Sequence, residues 1–75
     1  MEYSKYIIRD PNIMLGKPII KGTRITVELL MRKLAGGFSI EKLIESYPHI
    51  SKEQILAAFE YAADLIANEE INEVA

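Results

Sequence analysis

The residues with the most obvious capacity for chemistry lie between Gly16 and Ile25, in the stretch GKPIIKGTRI. Glycine, lysine and threonine at close spacing are typical of a phosphate-binding loop, which surrounds phosphate oxygens with backbone N–H groups and one lysine. The order here differs, because Lys21 precedes the second glycine and Pro18 removes an amide donor from the middle of the loop. We therefore predict no nucleotide site and interpret the stretch as a bent β segment that leads into a helix.

Residues for catalysis or metal binding are sparse. One histidine and no cysteine leave no ligand set for a structural zinc site. The chain has no serine–histidine–aspartate set, no cysteine nucleophile and no carboxylate pair with an obvious cleft. His49, beside Pro48, is interpreted as a turn or surface residue. The sequence therefore predicts no enzyme, no metal site and no cofactor.

The remaining chemistry is electrostatic. Residues 1–37 carry seven Lys or Arg against three Asp or Glu, whereas residues 38–75 carry two against eight. A basic half suits a polyanion such as DNA, because lysine and arginine bind phosphates without reading sequence. The candidate phosphate contacts in this half are Lys17, Lys21, Arg24, Arg32 and Lys33. For Arg24 the alternative is an ion pair with Glu28, four residues along the chain, or with an acidic group of the C-terminal half.

The elements that position these residues follow from the hydrophobic pattern. Thr26, Ser39 and Ser51 each predict a helix N-cap, and the apolar residue before each cap pairs with another five positions later, which is a hydrophobic staple. The staple pairs are Ile25 with Leu30, Phe38 with Leu43, and Ile50 with Ile55. Apolar residues at i, i+3, i+4 and i+7 predict one buried stripe per helix. The stripes are Val27, Leu30, Met31 and Leu34; Ile40, Leu43, Ile44 and Tyr47; and Ile55, Ala58, Phe59 and Ala62.

The chain before Thr26 has the composition of short strands and turns. Residues 6–9 predict a strand, and residues 13–15 and 18–20 could form two more, with Gly22 in a turn. Short links then favour steeply packed helices and a helix-turn-helix. The predicted fold is mainly α, one domain over residues 1–75: a β segment or hairpin over 1–25, a three-helix bundle over 26–67 and an acidic tail over 68–75.

A DNA-binding helix-turn-helix places the start of its last helix in the major groove. Ser51, Lys52 and Gln54 are the candidate contacts at that point. The alternative is structural, because Ser51 and Gln54 also form a capping-box pattern. Glu53 and Asp64, farther along the same helix, would repel phosphate.

The end of the chain spaces apolar and acidic residues like an amphipathic segment. It could dock to a basic partner protein by folding on binding, and the alternative is a frayed, solvated helix end. The candidate partner-binding residues are Ile66, Glu69, Glu70, Ile71 and Glu73.

Size and hydropathy bear on assembly and location. A 75-residue chain without cysteine has a small core and no disulfide, which favours a homodimer. Free edges of the β segment offer one route to pairing. Apolar runs are too short to span a membrane, and the N-terminus lacks the pattern of a signal peptide, so we expect a cytoplasmic protein.

Residues 6–63 resemble the bacterial and archaeal family called domain of unknown function four-three-three. The resemblance rests on Gly16-Lys17-Pro18, Gly22-Thr23-Arg24-Ile25, Gly37, Ser39, Tyr47-Pro48, Ser51, Ile55, Ala57-Ala58 and Tyr61-Ala62. Two departures are Met14-Leu15, where many members are more polar or glycine-rich, and Thr26, where proline is frequent. The resemblance implies a small helix-turn-helix protein preceded by a β segment. Genes of this family are often found beside genes of PIN-like ribonuclease toxins, so the resemblance also implies an antitoxin role.

Two functions follow as expectations. The first is an antitoxin-like, DNA-binding regulator of a type II toxin–antitoxin system, a dimer that binds its own operator and neutralises a PIN-like ribonuclease toxin. The alternative is a protein–protein interaction or assembly module that binds no nucleic acid.

Overall fold

The computed structural model describes the backbone of residues 2–73 and the side chains of residues 2–68. Two short strands precede three helices, and single turns of 3-10 helix lie at Tyr3–Lys5 and Met14–Gly16. The strands are β1 (Ile7–Ile8) and β2 (Ile19–Ile20), and the helices are α1 (Val27–Ala35), α2 (Ile40–Ser46) and α3 (Lys52–Glu73). The predicted fold class is confirmed, since the chain is mainly α with a helix-turn-helix formed by α2 and α3 behind an N-terminal hairpin.

The two strands pair antiparallel, with Ile7 opposite Ile20 and Ile8 opposite Ile19. The predicted turn follows β2, and Gly22 adopts the positive φ of +82° that glycine accepts without strain. The N–H of Val27 then donates to the carbonyl of Pro18 at 2.9 Å. This bond ties the start of α1 to the hairpin, so the hairpin sets the position of the helix.

The strand considered for residues 13–15 is wrong. Met14, Leu15 and Gly16 form a left-handed turn with φ of +49°, +59° and +78°. Its backbone bonds run from the N–H of Gly16 to the carbonyl of Ile13 and from the N–H of Lys17 to that of Met14. The antiparallel pairing of β1 with β2 explains the difference, because the connecting chain must reverse direction and apolar composition does not decide its conformation.

The three predicted helix starts are confirmed. The hydroxyls of Thr26, Ser39 and Ser51 each accept a hydrogen bond from the N–H three residues later, at 3.0, 3.0 and 3.2 Å. At the third start the N–H of Ser51 also donates to Oε1 of Gln54 at 2.7 Å, which completes a capping box. All six staple residues belong to the core or pack against it. Helix entry is therefore determined by local residues in each case.

The core lies where the three helices meet the hairpin. Its buried apolar side chains are Ile7, Ile19, Ile20, Ile25, Val27, Leu30, Leu43, Ile50, Ile55, Ala57 and Ala58. Within α3 the buried residues all lie in the first two turns, whereas residues 63–68 are exposed. The predicted tail over 68–75 begins inside α3, which runs to Glu73. None of the described helices is long and apolar enough to cross a membrane.

Candidate partner-binding groove

A groove of about 480 Å³ lies between α1 and α3. Its walls are largely apolar, and two of the wall residues are among the most exposed apolar side chains of the described chain, with Leu65 43% and Ile66 54% exposed. The apolar lining consists of Pro18, Val27, Met31, Ala35, Tyr61, Ala62, Leu65 and Ile66. We refer to this set as the α1–α3 groove, and it is a surface that a partner could remove from water.

One face of each helix forms a wall of the groove. Helix α1 has nine residues and α3 has 22, which correspond to about 14 and 33 Å. Apolar residues of α3 recur at positions 58, 62, 65 and 66, a helical spacing that keeps one face apolar beyond the core. Helix α1 lines the groove along its whole length, from Val27 to Ala35, and still leaves Leu65 and Ile66 about half exposed.

Charged residues form one rim of the groove. The carboxylate of Glu28 binds Lys17 Nζ through Oε1 and Arg32 Nε through Oε2, each at 3.1 Å. These contacts lower the pKa of Glu28, first through the hydrogen bond from Lys17 and then through that from Arg32. Arg9 also lines the groove. Three cations and one anion therefore give the rim a net positive charge, which favours an acidic ligand.

The N-terminal segment supports the α3 wall. Both Nε and Nη2 of Arg9 donate to the hydroxyl of Tyr61, at 2.9 and 2.6 Å, and the Tyr3 ring meets the Tyr61 ring edge-on with centroids 5.5 Å apart. The pKa of Tyr3 is raised, first by its hydrogen bond with the Asp64 carboxylate, then by burial and then by the negative charge of Asp64. Residues on either side of β1, Tyr3 before it and Arg9 after it, thus hold the orientation of an aromatic side chain in the groove.

Two of the candidate phosphate contacts, Lys17 and Arg32, meet at this rim. They do so through Glu28, and Arg24 takes no part. The alternative pairing of Arg24 with Glu28 is wrong, because Arg24 precedes the N-cap of α1 and so lies outside the helical turn that brings residues four apart together.

The other cations of the basic half lie elsewhere. Lys21 and Arg24 are exposed around the turn after β2. Lys33 Nζ lies 5.0 Å from the centroid of the Phe38 ring, a cation–π contact at the end of α1. The five candidate cations therefore occupy three settings: the groove rim, the hairpin turn and the end of α1.

The three candidate DNA contacts at the start of α3 differ from one another in their surroundings. Ser51 and Gln54 bond to each other in the capping box, while Lys52 is exposed. Glu53 beside it is exposed as well. The first turn of α3 thus presents one cation and one anion of its own.

Of the candidate partner-binding residues, Ile66 is in the groove wall. The side chains of Glu69, Glu70, Ile71 and Glu73 lie outside the described side chains. The sequence analysis missed Arg9, Leu65 and the role of Tyr61. The apolar spacing beyond Ala62 was a usable signal for Leu65, but the Arg9–Tyr61 contact joins residues 52 positions apart and has no local pattern.

Comparisons with known proteins agree with this fold. The family described as "Protein of unknown function (DUF433)" matches residues 7–62. A crystal structure of a DUF433 member from Anabaena variabilis ATCC 29413 superposes with a TM-score of 0.78 at 25% identity, covering 92% of this chain and 68% of the other.

A relative from Sinorhizobium fredii (strain NBRC 101917 / NGR234), "Uncharacterized protein y4eO", is 34% identical over 56 residues. The match covers 75% of this chain and spans about a quarter (25%) of that relative. The family match includes the hairpin, all of α1 and α2 and the first half of α3. The chain belongs to the DUF433 family.

Proposed function

We propose that this protein is an antitoxin-like binding domain that acts in the cytoplasm by holding a PIN-like ribonuclease through the α1–α3 groove. The observation that carries the proposal is the exposure of Leu65 and Ile66 in a concave apolar surface. Concave apolar surfaces with a few fixed polar groups are the usual form of a binding site.

The chemistry of the groove specifies the bound segment. An amphipathic helix of the partner would place its apolar stripe against Met31 and Leu65, as in other helix-in-groove complexes. Acidic residues flanking that stripe would meet Lys17 and Arg32 at the rim, whose separation is held by Glu28. The groove therefore fits an acidic amphipathic helix better than a basic one.

The proposal is tested with the purified chain and a purified PIN-like ribonuclease from the same organism. Calorimetry measures binding, and cleavage of a fluorescent RNA measures inhibition. Leu65→Glu should weaken binding by about 10- to 100-fold, since it removes one buried leucine from the interface. Ala63→Glu is the matched control, because Ala63 is exposed on the same helix but does not line the groove.

The affinities of the two variants decide whether the groove is the binding site. Binding and inhibition that are lost in Leu65→Glu and kept in Ala63→Glu support the groove. Equal affinities of both variants, or no complex at high micromolar concentration, would refute the assignment. A third variant, Arg32→Glu, tests the rim: it should weaken binding of an acidic segment, whereas Lys52→Glu should leave it unchanged.

Binding of operator DNA is the second candidate function. It is favoured by the helix-turn-helix together with three exposed cations, Lys21, Arg24 and Lys52, that pair with no carboxylate among the described residues. Such cations are available for phosphates. The exposed carboxylate of Glu53, next to Lys52, opposes this use of the start of α3.

Fluorescence anisotropy of labelled DNA from the upstream region of the gene distinguishes the two functions. Operator binding predicts tighter binding than to scrambled DNA, a steep loss of affinity with salt, and weaker binding by Lys52→Glu. If neither DNA binds at low salt, the chain alone does not recognise DNA and the protein-binding proposal stands by itself.

A further inference from the structure

The left-handed turn at residues 14–16 places an apolar side chain in water on a strained backbone. Leu15 has φ of +59° and is 93% exposed, and Met14 before it has φ of +49° and is 37% exposed. Residues with a Cβ avoid this region, and such conformations persist where function or surroundings require them. The chain reversal between β1 and β2 sets this backbone conformation, but the surroundings within the chain give the side chain of Leu15 almost no contact.

We propose that Met14 and Leu15, which we call the tip, insert into the α1–α3 groove of a second copy of this chain. The insertion is reciprocal, so that the tip of each copy fills the groove of the other. An exposed apolar side chain on its own needs no explanation. The combination of nearly full exposure with two consecutive left-handed apolar residues is what favours a second molecule as the occupant of this surface.

The position of the tip relative to the groove favours a second copy as the occupant. Lys17 and Pro18 line the groove, and Pro18 is three residues from Leu15, a reach of at most about 11 Å. The tip and the groove therefore lie next to each other in the fold. In the proposed dimer a two-fold axis between them places each tip against the groove of the other copy, which is the self-complementary pattern of an isologous dimer.

Size agrees with this arrangement. A chain of 75 residues with no disulfide belongs to the size class in which association commonly supplements a small core.

The dimer has one consequence for ribonuclease binding. This consequence rests on the proposed function, whereas the dimer itself does not. A groove filled by a tip is closed to other ligands, so a PIN-like ribonuclease and a second copy compete for the same surface. Leu15→Asn, which leaves the groove intact, should then bind the ribonuclease at least as tightly as the unchanged chain.

Sedimentation equilibrium over a wide range of concentrations tests the dimer without any other protein. Asparagine tolerates the left-handed conformation but is polar, so Leu15→Asn removes the tip and keeps the turn. We expect its dimer dissociation constant to rise by about 10- to 100-fold for each tip lost. Leu65→Glu should do the same through the groove, whereas Ala63→Glu should not.

A mixture of two variants tests reciprocity. Leu15→Asn keeps a groove without a tip, and Leu65→Glu keeps a tip without a groove, so only the mixed dimer contains one complete contact. The mixture should associate at least about tenfold more tightly than either variant alone. Equal association of mixed and separate variants would overturn the proposal, as would a Leu15→Asn chain that dimerises normally or an unchanged chain that stays monomeric at millimolar concentration. Loss of ribonuclease binding alone would refute only the proposed function.

Discussion

Replacement of Leu15 by glycine is expected to stabilise the folded monomer. Leu15 occupies the left-handed region, with φ of +59°, and 93% of its surface is exposed. Glycine adopts this region without a steric penalty. Since so little of the leucine is buried, its removal gives up almost no hydrophobic contact within the chain.

The magnitude follows from two opposing effects. A residue with a Cβ costs about 1–2 kcal/mol in the left-handed conformation. Glycine makes the unfolded chain more flexible and so destabilises the fold by about 0.5–1 kcal/mol. The net gain in the free energy of unfolding is therefore about 0.5–1 kcal/mol, equivalent to about 2–8 °C in Tm for a domain of this size.

Thermal and urea denaturation followed by circular dichroism measure this gain. Low protein concentration keeps dimerisation from contributing to stability. Leu15→Ala is the first control, because it removes the exposed side chain and keeps the Cβ, so its stability should not change. Gly22→Ala is the second: its φ is +82° and no atom lies within 4 Å of an added Cβ, so the backbone alone should cost about 1 kcal/mol.

Two results would contradict the reasoning. If Leu15→Gly is no more stable than Leu15→Ala while Gly22→Ala is destabilised, the backbone at Leu15 carries no strain. If Leu15→Gly is less stable even when monomeric, the leucine side chain stabilises the monomer by contacts inconsistent with its exposure.

Three further predictions concern the cap, the rim and the core. Ser51→Ala should lower the free energy of unfolding by about 1 kcal/mol in urea denaturation, and Ser51→Asp should retain most of it; equal stability of both variants would exclude capping. The pKa of Glu28 lies below its ordinary value of 4.5, so its ion pairs stabilise above that pH and are lost as pH falls through the lowered pKa. Glu28→Gln should therefore lower the unfolding midpoint slightly at pH 7 and by progressively less as the pH falls below 4.5, and a loss that does not diminish at acidic pH would contradict this. Leu43→Ala, at a fully buried position, should cost about 2–5 kcal/mol in calorimetry, against little change for exposed Lys42→Ala.

The helices were predictable because their determinants are local. Each start combines a capping hydroxyl with a staple, as in Phe38, Ser39 and Leu43, and all of these residues fall within six positions. Their spacing alone selects where helical hydrogen bonding begins. The end of α1 was predictable for the same reason, since it stops before Gly36.

The turn at Met14 and Leu15 was not predictable from residue type. Apolar residues in a short run favour a strand when they can pair or pack. Here the pairing partner of β1 is β2, and the residues between them must reverse the chain. The pairing of β1 with β2 therefore sets the left-handed conformation of Met14 and Leu15, which the preferences of these residue types oppose.

The groove was predictable in part. The continued apolar spacing of α3 at Leu65 and Ile66 was present in the sequence, and so was the early end of α1 at the glycines. What the sequence lacked was the position of these two features relative to each other, since helix packing places Met31 and Leu65, 34 positions apart, in the lining of one groove. The same is true of the rim, where Lys17 reaches α1 from the hairpin.

Helix α3 divides into two parts with separate roles. Its first two turns contain Ile55, Ala57 and Ala58, all fully buried, and build the core. Its exposed continuation contributes Leu65 and Ile66 to the groove and little to the fold. Substitutions there should therefore change stability less than substitutions in the first two turns, because about half of each side chain they remove is already in contact with water. Binding by groove variants can then be interpreted once their unfolding midpoints have been measured beside that of Ala63→Glu.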